Sequence, residues 1–427
     1  MRAAIYTLGC KVNQYESQAM EKILAAGGHE IVPFDGEADV YIINTCSVTA
    51  ESDRKSRQVI RRARKQNPDA LVAVCGCFSQ THREQACSLG ADVVFGTNDK
   101  EKFIASLEEK KEAPEYNVDD VFKRRGFEQL PSGGLSGRTR AMLKVQDGCV
   151  NFCTYCIIPY ARGPVRSLPM ADALREAEKL RREGYREIVI TGIEISSYGA
   201  DLKDGNDIVT LTKALCTAAP DVRIRLGSLE PRTVTERFCR ELKDIPNLCP
   251  QFHLSMQSGC DSVLERMGRR YDTIRYFQSV QLLRESFPDC AVTTDIIVGF
   301  PGETDEEFEE SLRFIRRCAF SSMHIFPYSK REGTKAAAML CQIEKSVKTA
   351  RAHAAAAVAE EMKRDYLAGC EGSRQEVLFE SREGDWAVGH APNYTQVRVK
   401  CPENLHGVIR TVRITGSGDD WLIGEIE

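Results

Sequence analysis

The stretch Cys149-Val-Asn-Phe-Cys-Thr-Tyr-Cys156 places three cysteines on one short segment, directly after the apolar run 141–146, which is typical of a strand. Pro159 follows it closely, so we expect the three sulfurs on a single loop. Three thiolates leave one iron of a [4Fe–4S] cluster without a protein ligand, whereas ferredoxin clusters are held by four cysteines. The alternative is zinc, although structural zinc sites generally close with a fourth Cys or His.

Working outward, residues 138–368 alternate strand-like and helical segments. Six candidate strands lie near 141–146, 187–192, 222–227, 251–257, 292–298 and 321–327. Six βα repeats predict a partial (β/α)6 barrel. Residues 335–368, rich in Ala, Lys, Glu and Arg, predict a helical extension that stops at Gly369.

Residues 1–110 show the same alternation, with β-branched runs at 3–7, 39–43, 71–74 and 92–95. This rhythm predicts an α/β unit with a doubly wound parallel sheet. Cys10, Cys46 and Cys77 each follow one of the first three runs. Because the carboxyl ends of parallel strands share one edge, we expect these thiols to meet there as a second set of metal ligands. Cys75 is an alternative to Cys77, but it still belongs to the apolar run.

Two further segments differ in composition from these units. Residues 111–137 are charged and rich in Gly and Ser, which predicts a linker. Residues 369–427 alternate with a period of two and predict a small antiparallel β-barrel, with strands at 375–379, 396–399, 407–414 and 421–426.

Bulk composition narrows the class of protein. The chain has 427 residues, a net charge of −4 and seventeen cysteines. No apolar run approaches the ~20 residues that span a bilayer, and no secretory signal is visible, so we expect a cytoplasmic protein that does not bind membranes. Disulfides are rare in that compartment, and cysteine therefore indicates metal ligation or burial as a small apolar residue.

The cysteine loop of the central unit resembles that of the radical S-adenosylmethionine (SAM) superfamily, in which the open iron binds the methionine moiety of SAM. The resemblance implies roles for further residues. Glu194, with Gly192 at the end of the second strand, would hold the methionine amino group, Tyr155 would contact adenine, and the segment around Gly299 would cradle it. Gln257 is a candidate from its position at a strand end.

The whole arrangement resembles the methylthiotransferase family, with residues 369–427 similar to a TRAM domain. Thr7-Leu-Gly-Cys-Lys-Val-Asn-Gln14, Asn44-Thr-Cys-Ser-Val-Thr49 and His324–Thr334 resemble its MtaB branch, which acts on N6-threonylcarbamoyladenosine at position 37 of tRNA. The resemblance implies two [4Fe–4S] clusters, SAM, a tRNA anticodon loop as substrate and a flavodoxin- or ferredoxin-type electron donor. The alternatives are methylthiolation of isopentenyladenosine or of a ribosomal-protein aspartate, and a non-catalytic RNA-binding iron–sulfur protein.

Direct signs of RNA binding are weaker. The segment Arg54–Lys65 carries seven basic residues on a predicted helix, which would suit phosphate contacts or simply a solvated face. Residues 371–427 hold six Lys/Arg against ten Asp/Glu, so aromatic stacking by Tyr394 or Trp386 is the alternative to attraction by charge.

Overall fold

The structure is a computed structural model that describes residues 1–108, 113–134 and 138–427. Its N-terminal sheet has six parallel strands in the order β2-β1-β3-β4-β5-β6. The strands are β1 (Arg2–Thr7), β2 (Glu30–Val32), β3 (Val40–Thr45), β4 (Leu71–Gly76), β5 (Val93–Phe95) and β6 (Glu115–Asn117). The helices are α1 (Lys11–Ala26), α2 (Ala50–Gln66), α3 (Cys77–Thr81), α4 (Arg83–Ser88) and α5 (Lys100–Ala105).

Helices cover both faces of this sheet, as predicted for a doubly wound unit. Met20 and Leu24 of α1 share one buried cluster with Phe103 of α5. Val59 and Ile60 of α2 belong to a second cluster on the opposite face. Strands buried on both sides read as continuous apolar runs, which explains the sequence of β3.

Part of the stretch predicted as a linker is packed structure. Residues 115–117 form the edge strand β6, and Leu130 is 2% exposed in a cluster with Tyr15 and Ala19 of α1. The Tyr15 hydroxyl donates to the Leu130 carbonyl at 2.6 Å. The stretch has too few apolar residues to form a core of its own. Its buried residue Leu130 packs against the N-terminal unit instead. Residues 111–112 and 135–137 of the predicted linker lie outside the described residues.

The central unit is a curled, open half-barrel. Its strands are β7 (Arg140–Asp147), β8 (Arg166–Ser167), β9 (Glu187–Gly192), β10 (Arg223–Leu226), β11 (Ser228–Leu229), β12 (Gln251–Leu254), β13 (Ala291–Val298) and β14 (Ser322–Pro327). Its helices are α6 (Ile158–Arg162), α7 (Met170–Arg182), α8 (Ile208–Ala218), α9 (Glu236–Leu242), α10 (Asp261–Arg266), α11 (Thr273–Ser286), α12 (Asp305–Cys318) and α13 (Lys345–Gly369).

The six predicted strands are present, with two additions. The third is broken at Gly227, so that β10 pairs with β9 whereas β11 pairs with β12. The short β8 pairs antiparallel with β7 at the sheet edge. The break leaves two four-stranded sheets in succession. Leu143, Ile190 and Phe252 point outward into the main core, and the intervening positions therefore face the lumen.

The C-terminal unit is a closed five-stranded barrel in the order β15-β16-β17-β19-β18. Its strands are β15 (Arg374–Glu383), β16 (Trp386–His390), β17 (Gln396–Lys400), β18 (Ile409–Ser417) and β19 (Trp421–Ile426). The pattern predicted four of these strands and missed β16. Pairing is antiparallel except between β17 and β19, which close the barrel in parallel.

A buried ionic network joins the N-terminal unit to the half-barrel. Glu16 of α1 accepts from Lys144 Nζ at 3.1 Å and also pairs with Arg162. Asp147 accepts from Lys144 at 2.8 Å and lies 3.2 Å from Arg166. All five side chains are at most 3% exposed. Among the described helices, none has the length and apolar character that would let it cross a bilayer.

Candidate functional site: two cysteine loops

The first cysteine loop is anchored at its start and in its middle. Gly148 leaves β7 with φ +77°, and a Cβ there would lie 1.9 Å from the Pro164 carbonyl oxygen, so only glycine fits. The Cys149 amide donates to the Gly163 carbonyl at 3.0 Å. The Thr154 amide donates to the Met267 carbonyl at 2.9 Å. These bonds hold the cysteines at the carboxyl end of β7, where barrel enzymes place reactive groups.

The thiols of this loop need a positive partner to ionise. Burial raises the pKa of Cys149 to about 11 and that of Cys156 to about 12. Arg269 Nη1 donates to Cys153 Sγ at 3.1 Å. Metal ions bind the thiolate form, and their charge favours it. Three thiols with one cation beside them therefore fit a metal centre that carries net negative charge.

Glu194 lies beside this loop, where the positive charge of Arg269 reaches its carboxylate. Its amide donates to Gln146 Oε1 at 2.7 Å, and its carboxylate accepts from the Ser196 amide at 3.2 Å and from Asn151 Nδ2 at 3.4 Å. Burial, followed by the charge of Glu230, raises the pKa of Glu194. A carboxylate with these neighbours is suited to accept an ammonium group.

The other predicted SAM contacts have packing roles in the structure. Tyr155 packs against the apolar cluster that contains Val263 and Phe300. Gly299 has φ +69°, and its α-carbon lies against Lys348 of α13, where a Cβ would come within 2.2 Å of Cγ.

Gln257 has φ +71° and bridges by its backbone to the Asp295 carbonyl and the Ile297 amide. Gly192 is packed against Gln146 and Ile195. Such packing explains these residue types without a ligand, so their contacts with SAM stay predictions.

The second set of cysteines lies at one edge of the N-terminal sheet. Cys10 precedes α1, Cys46 follows β3, and Cys77 begins α3 after β4. A Cβ at Gly9 would lie 2.9 Å from Cys46 Sγ, which places the Cys10 loop directly against Cys46. Cys46 and Cys10 both act electrostatically on Cys77, so the three thiols share one neighbourhood. Cys75 instead points into the core beside Val93 and Phe95.

Arg162 links the two cysteine sets. It ends the helix that follows the first loop, and its guanidinium also bonds Asn13 Oδ1 at 2.7 Å. Burial raises the pKa of Cys77 to about 12, and Arg162 opposes this rise by charge and by a hydrogen bond. A cation from the half-barrel therefore faces the thiols of the N-terminal unit.

The kind and number of donors bear on the choice between zinc and a cluster. Over residues 1–108, 113–134 and 138–427, no three His, Cys, Asp or Glu side chains are arranged to hold one metal ion. A tetrahedral zinc site brings its sulfurs to ~2.3 Å from a single centre. In a cubane, each thiolate binds a different iron, so the sulfurs stay farther apart. Each cysteine set offers three thiols, the donors that hold iron–sulfur clusters, whereas a structural zinc site generally closes with a fourth Cys or His.

A cleft of ≈ 540 Å³ opens where the three units meet. Lys11 and Gln14 of α1 line one side, Arg140 and Arg225 of the half-barrel another, and Tyr394 of the C-terminal barrel a third. The Tyr394 ring centre lies 5.0 Å from the Arg140 guanidinium and 4.7 Å from that of Arg225. Because Lys11 directly follows Cys10, the cleft begins next to the second cysteine set.

Several residues of the site carry no signal in the sequence. Arg269 and Arg162 reach the thiols only through the fold. Gln146 is different, because its alternation with Val145 along β7 places it on the lumen side next to the cysteine loop. Strand parity could therefore have identified Gln146.

Comparison with known proteins agrees with this architecture. Residues 143–315 match the model of the Radical SAM superfamily, and residues 2–96 match the uncharacterized protein family UPF0004. Among solved structures, the radical S-adenosylmethionine methyltransferase TsrM from Kitasatospora setae has a TM-score of 0.55 at 16% identity. That match covers 79% of this chain and 77% of TsrM. The likeness shows the fold of the half-barrel and its neighbours.

Sequence relatives match along nearly the whole chain. The threonylcarbamoyladenosine tRNA methylthiotransferase MtaB of Bacillus subtilis is 41% identical over 99% of this chain and 95% of its own length. The protein of that name from Thermotoga maritima is 36% identical over 98% and 95%. A tRNA-2-methylthio-N(6)-dimethylallyladenosine synthase of B. subtilis is 34% identical over 99% and 86%. The chain therefore belongs to the radical SAM tRNA methylthiotransferase family.

Proposed function

We propose that this protein converts N6-threonylcarbamoyladenosine at position 37 of tRNA to its 2-methylthio derivative. The observation that carries the proposal is the end-to-end match to threonylcarbamoyladenosine tRNA methylthiotransferases, at 36–41% identity. In this proposal, Cys149, Cys153 and Cys156 hold the cluster that binds SAM. Cys10, Cys46 and Cys77 hold a second [4Fe–4S] cluster.

The chemistry of the substrate explains why the reaction needs a radical enzyme. The C2 hydrogen of adenine is not acidic, and a general base cannot remove it. SAM, bound at a cluster held by Cys149, Cys153 and Cys156, would supply the radical chemistry that can. The protein has to keep SAM, the base and the second cluster in one water-poor space.

The residues around the first loop are suited to that task. Glu194, fixed by Gln146 and Asn151, offers its carboxylate to the amino group of SAM. Arg269 places a positive charge at Cys153, which stabilises the added electron of a reduced cluster. Arg162 does the same for the second set through Cys77.

The substrate enters as an unpaired base of the anticodon loop, since such a base is cheap to extrude into a pocket. The helix α2 carries the basic residues of Arg54–Lys65 and is a candidate phosphate contact. A flavodoxin- or ferredoxin-type protein would supply the electrons.

Mass spectrometry of tRNA nucleosides tests the substrate. In a strain that lacks this protein, we expect 2-methylthio-N6-threonylcarbamoyladenosine to disappear and its unmethylthiolated precursor to accumulate. Loss of the 2-methylthio derivative of isopentenyladenosine instead would show the sibling activity. Anaerobic incubation with dithionite and SAM tests catalysis, because a mere RNA-binding protein would release no 5′-deoxyadenosine.

A further inference from the structure

The cleft between the three units carries an unbalanced positive charge. Arg140 Nε donates to Glu380 Oε1 at 2.6 Å, and Arg225 makes two bonds to Glu187 at 2.7 and 3.0 Å. Each arginine of the wall therefore has its own carboxylate. Lys11 makes no hydrogen bond or ion pair within the described part of the chain, whereas Arg138 at the rim faces the charge of Glu21. The cleft thus offers a free ammonium to an anion.

The position of Lys11 ties this charge to the reaction. Lys11 is the first residue of α1, and Cys10 immediately precedes that helix. Consecutive Cα atoms are ~3.8 Å apart, so the side chain that brings its ammonium to the cleft starts from the residue next to a proposed ligand of the second cluster. Met142 and Val189 of the half-barrel lumen continue the cleft wall from there.

The substrate named under the proposed function has a matching anion. Its threonyl carboxylate hangs on N6 through a urea, and the urea N–H can hydrogen-bond N1 of adenine. That bond turns the carboxylate toward the ring edge that contains N1 and its neighbour C2. A carboxylate held there needs a cation at the side of the second cluster.

We propose that Lys11 binds the threonyl carboxylate of the substrate and so selects N6-threonylcarbamoyladenosine over uncharged N6 substituents. Gln14, which lines the cleft one helical turn further along α1, lies within the same opening and can contact the polar urea or hydroxyl. The inference deepens the proposed function and depends on it.

Binding of two synthetic anticodon stem-loops to the anaerobically reconstituted full-length protein tests this inference. One RNA carries N6-threonylcarbamoyladenosine, and the other carries its amide, in which the carboxylate is neutral. We expect Lys11→Met to raise the Kd for the first RNA ~10-fold or more, the value of a charge-assisted hydrogen bond. The Kd for the amide should change less than ~2-fold, because the amide never used that charge.

Lys11→Arg keeps the charge and should restore most of the affinity, and the matched control is Lys102→Met, an exposed lysine of the same unit. Iron content is measured on each variant to separate cluster loss from substrate loss. An equal effect of Lys11→Met on both RNAs, or none on either, would overturn the role of Lys11. A wild-type protein that forms 5′-deoxyadenosine but methylthiolates neither RNA would overturn the proposed substrate itself.

Discussion

At the scale of single residues, the six proposed cluster ligands divide into two independent sets. Cys153 lies on the loop after β7, and Cys46 lies at the edge of the N-terminal sheet. We expect Cys153→Ala and Cys46→Ala each to retain about half of the wild-type iron, because each change removes a ligand of one cubane only. Iron and sulfide quantitation after anaerobic purification measures this. Complete loss of iron in either variant would contradict independent clusters.

Arg269 permits a second test at this scale. Its bond to Cys153 should stabilise the reduced, more negative state of the first cluster. We expect Arg269→Met to lower the ratio of reduced to oxidised cluster at a fixed potential roughly 10-fold, the worth of a hydrogen bond to a charged group. An EPR-monitored redox titration measures the ratio, and Arg270→Met is the neighbouring control. A titration curve that coincides with that of wild type would refute the role of Arg269.

At the scale of elements, the turn from β4 into α3 depends on Gly76. Its φ is +101°, and a Cβ would lie 2.4 Å from the Thr45 carbonyl oxygen and 2.7 Å from the Thr45 amide nitrogen. Because both atoms belong to the backbone of β3, neither can move aside. We expect Gly76→Ala to destabilise the protein by at least ~2 kcal/mol and to displace Cys77.

Urea unfolding and iron analysis of the same sample measure both effects of Gly76→Ala. The matched control is Gly28→Ala, since Gly28 also has a positive φ but has no atom within 4 Å of its would-be Cβ. If Gly76→Ala is as stable as Gly28→Ala, the backbone of β3 can move to accommodate the added Cβ, and the prediction is wrong.

The sequence predicts most elements because apolar runs and helical stretches alternate sharply. It misses β16 for a physical reason: Gly389 is the fourth of the five residues of that strand, and a Cβ there would lie 2.2 Å from the Leu378 carbonyl oxygen. Glycine weakens a strand pattern even where close packing of strands requires it. The break at Gly227 and the packing of Leu130 are likewise set by tertiary contacts.

The sequence likewise predicts part of the candidate site and misses the rest. Thiols at strand ends follow from topology, because parallel strands share one edge. The pairing of Glu16 with Arg162 does not, because the two residues are 146 positions apart in sequence and neither has a local pattern. Lys11 is visible in the sequence, but its free charge beside the cleft appears only once three units are assembled.

At the scale of the whole molecule, the network around Glu16 makes the packing of the N-terminal unit against the half-barrel sensitive to acid. Burial would raise the pKa of Glu16, but Arg162 and Lys144 outweigh it and lower the pKa from 4.5 to about 2. A depressed carboxyl pKa contributes stability that is complete above about pH 5 and is lost as pH falls toward 2. We therefore expect cluster-free protein to lose stability steeply over that range.

Replacing the Glu16 carboxylate by a neutral amide measures how much its charge contributes to the free energy of unfolding. Glu16→Gln should cost ~3–5 kcal/mol at pH 7, since it leaves buried cations without their partner. Because the wild-type protein loses the same charge in acid, the difference should shrink as pH approaches 2. Urea unfolding by circular dichroism at several pH values measures it, with the exposed Glu361→Gln as control. A difference that stays constant with pH would contradict the assignment.

Helix α1 begins next to Cys10 of one proposed cluster site and, through Glu16, binds Arg162, which follows the cysteine loop of the other. The distance between the two proposed cluster sites is therefore set by one rigid helix. Half a turn inserted into α1 between Lys11 and Glu16 would rotate and shift one cysteine set relative to the other and put the two sites out of alignment.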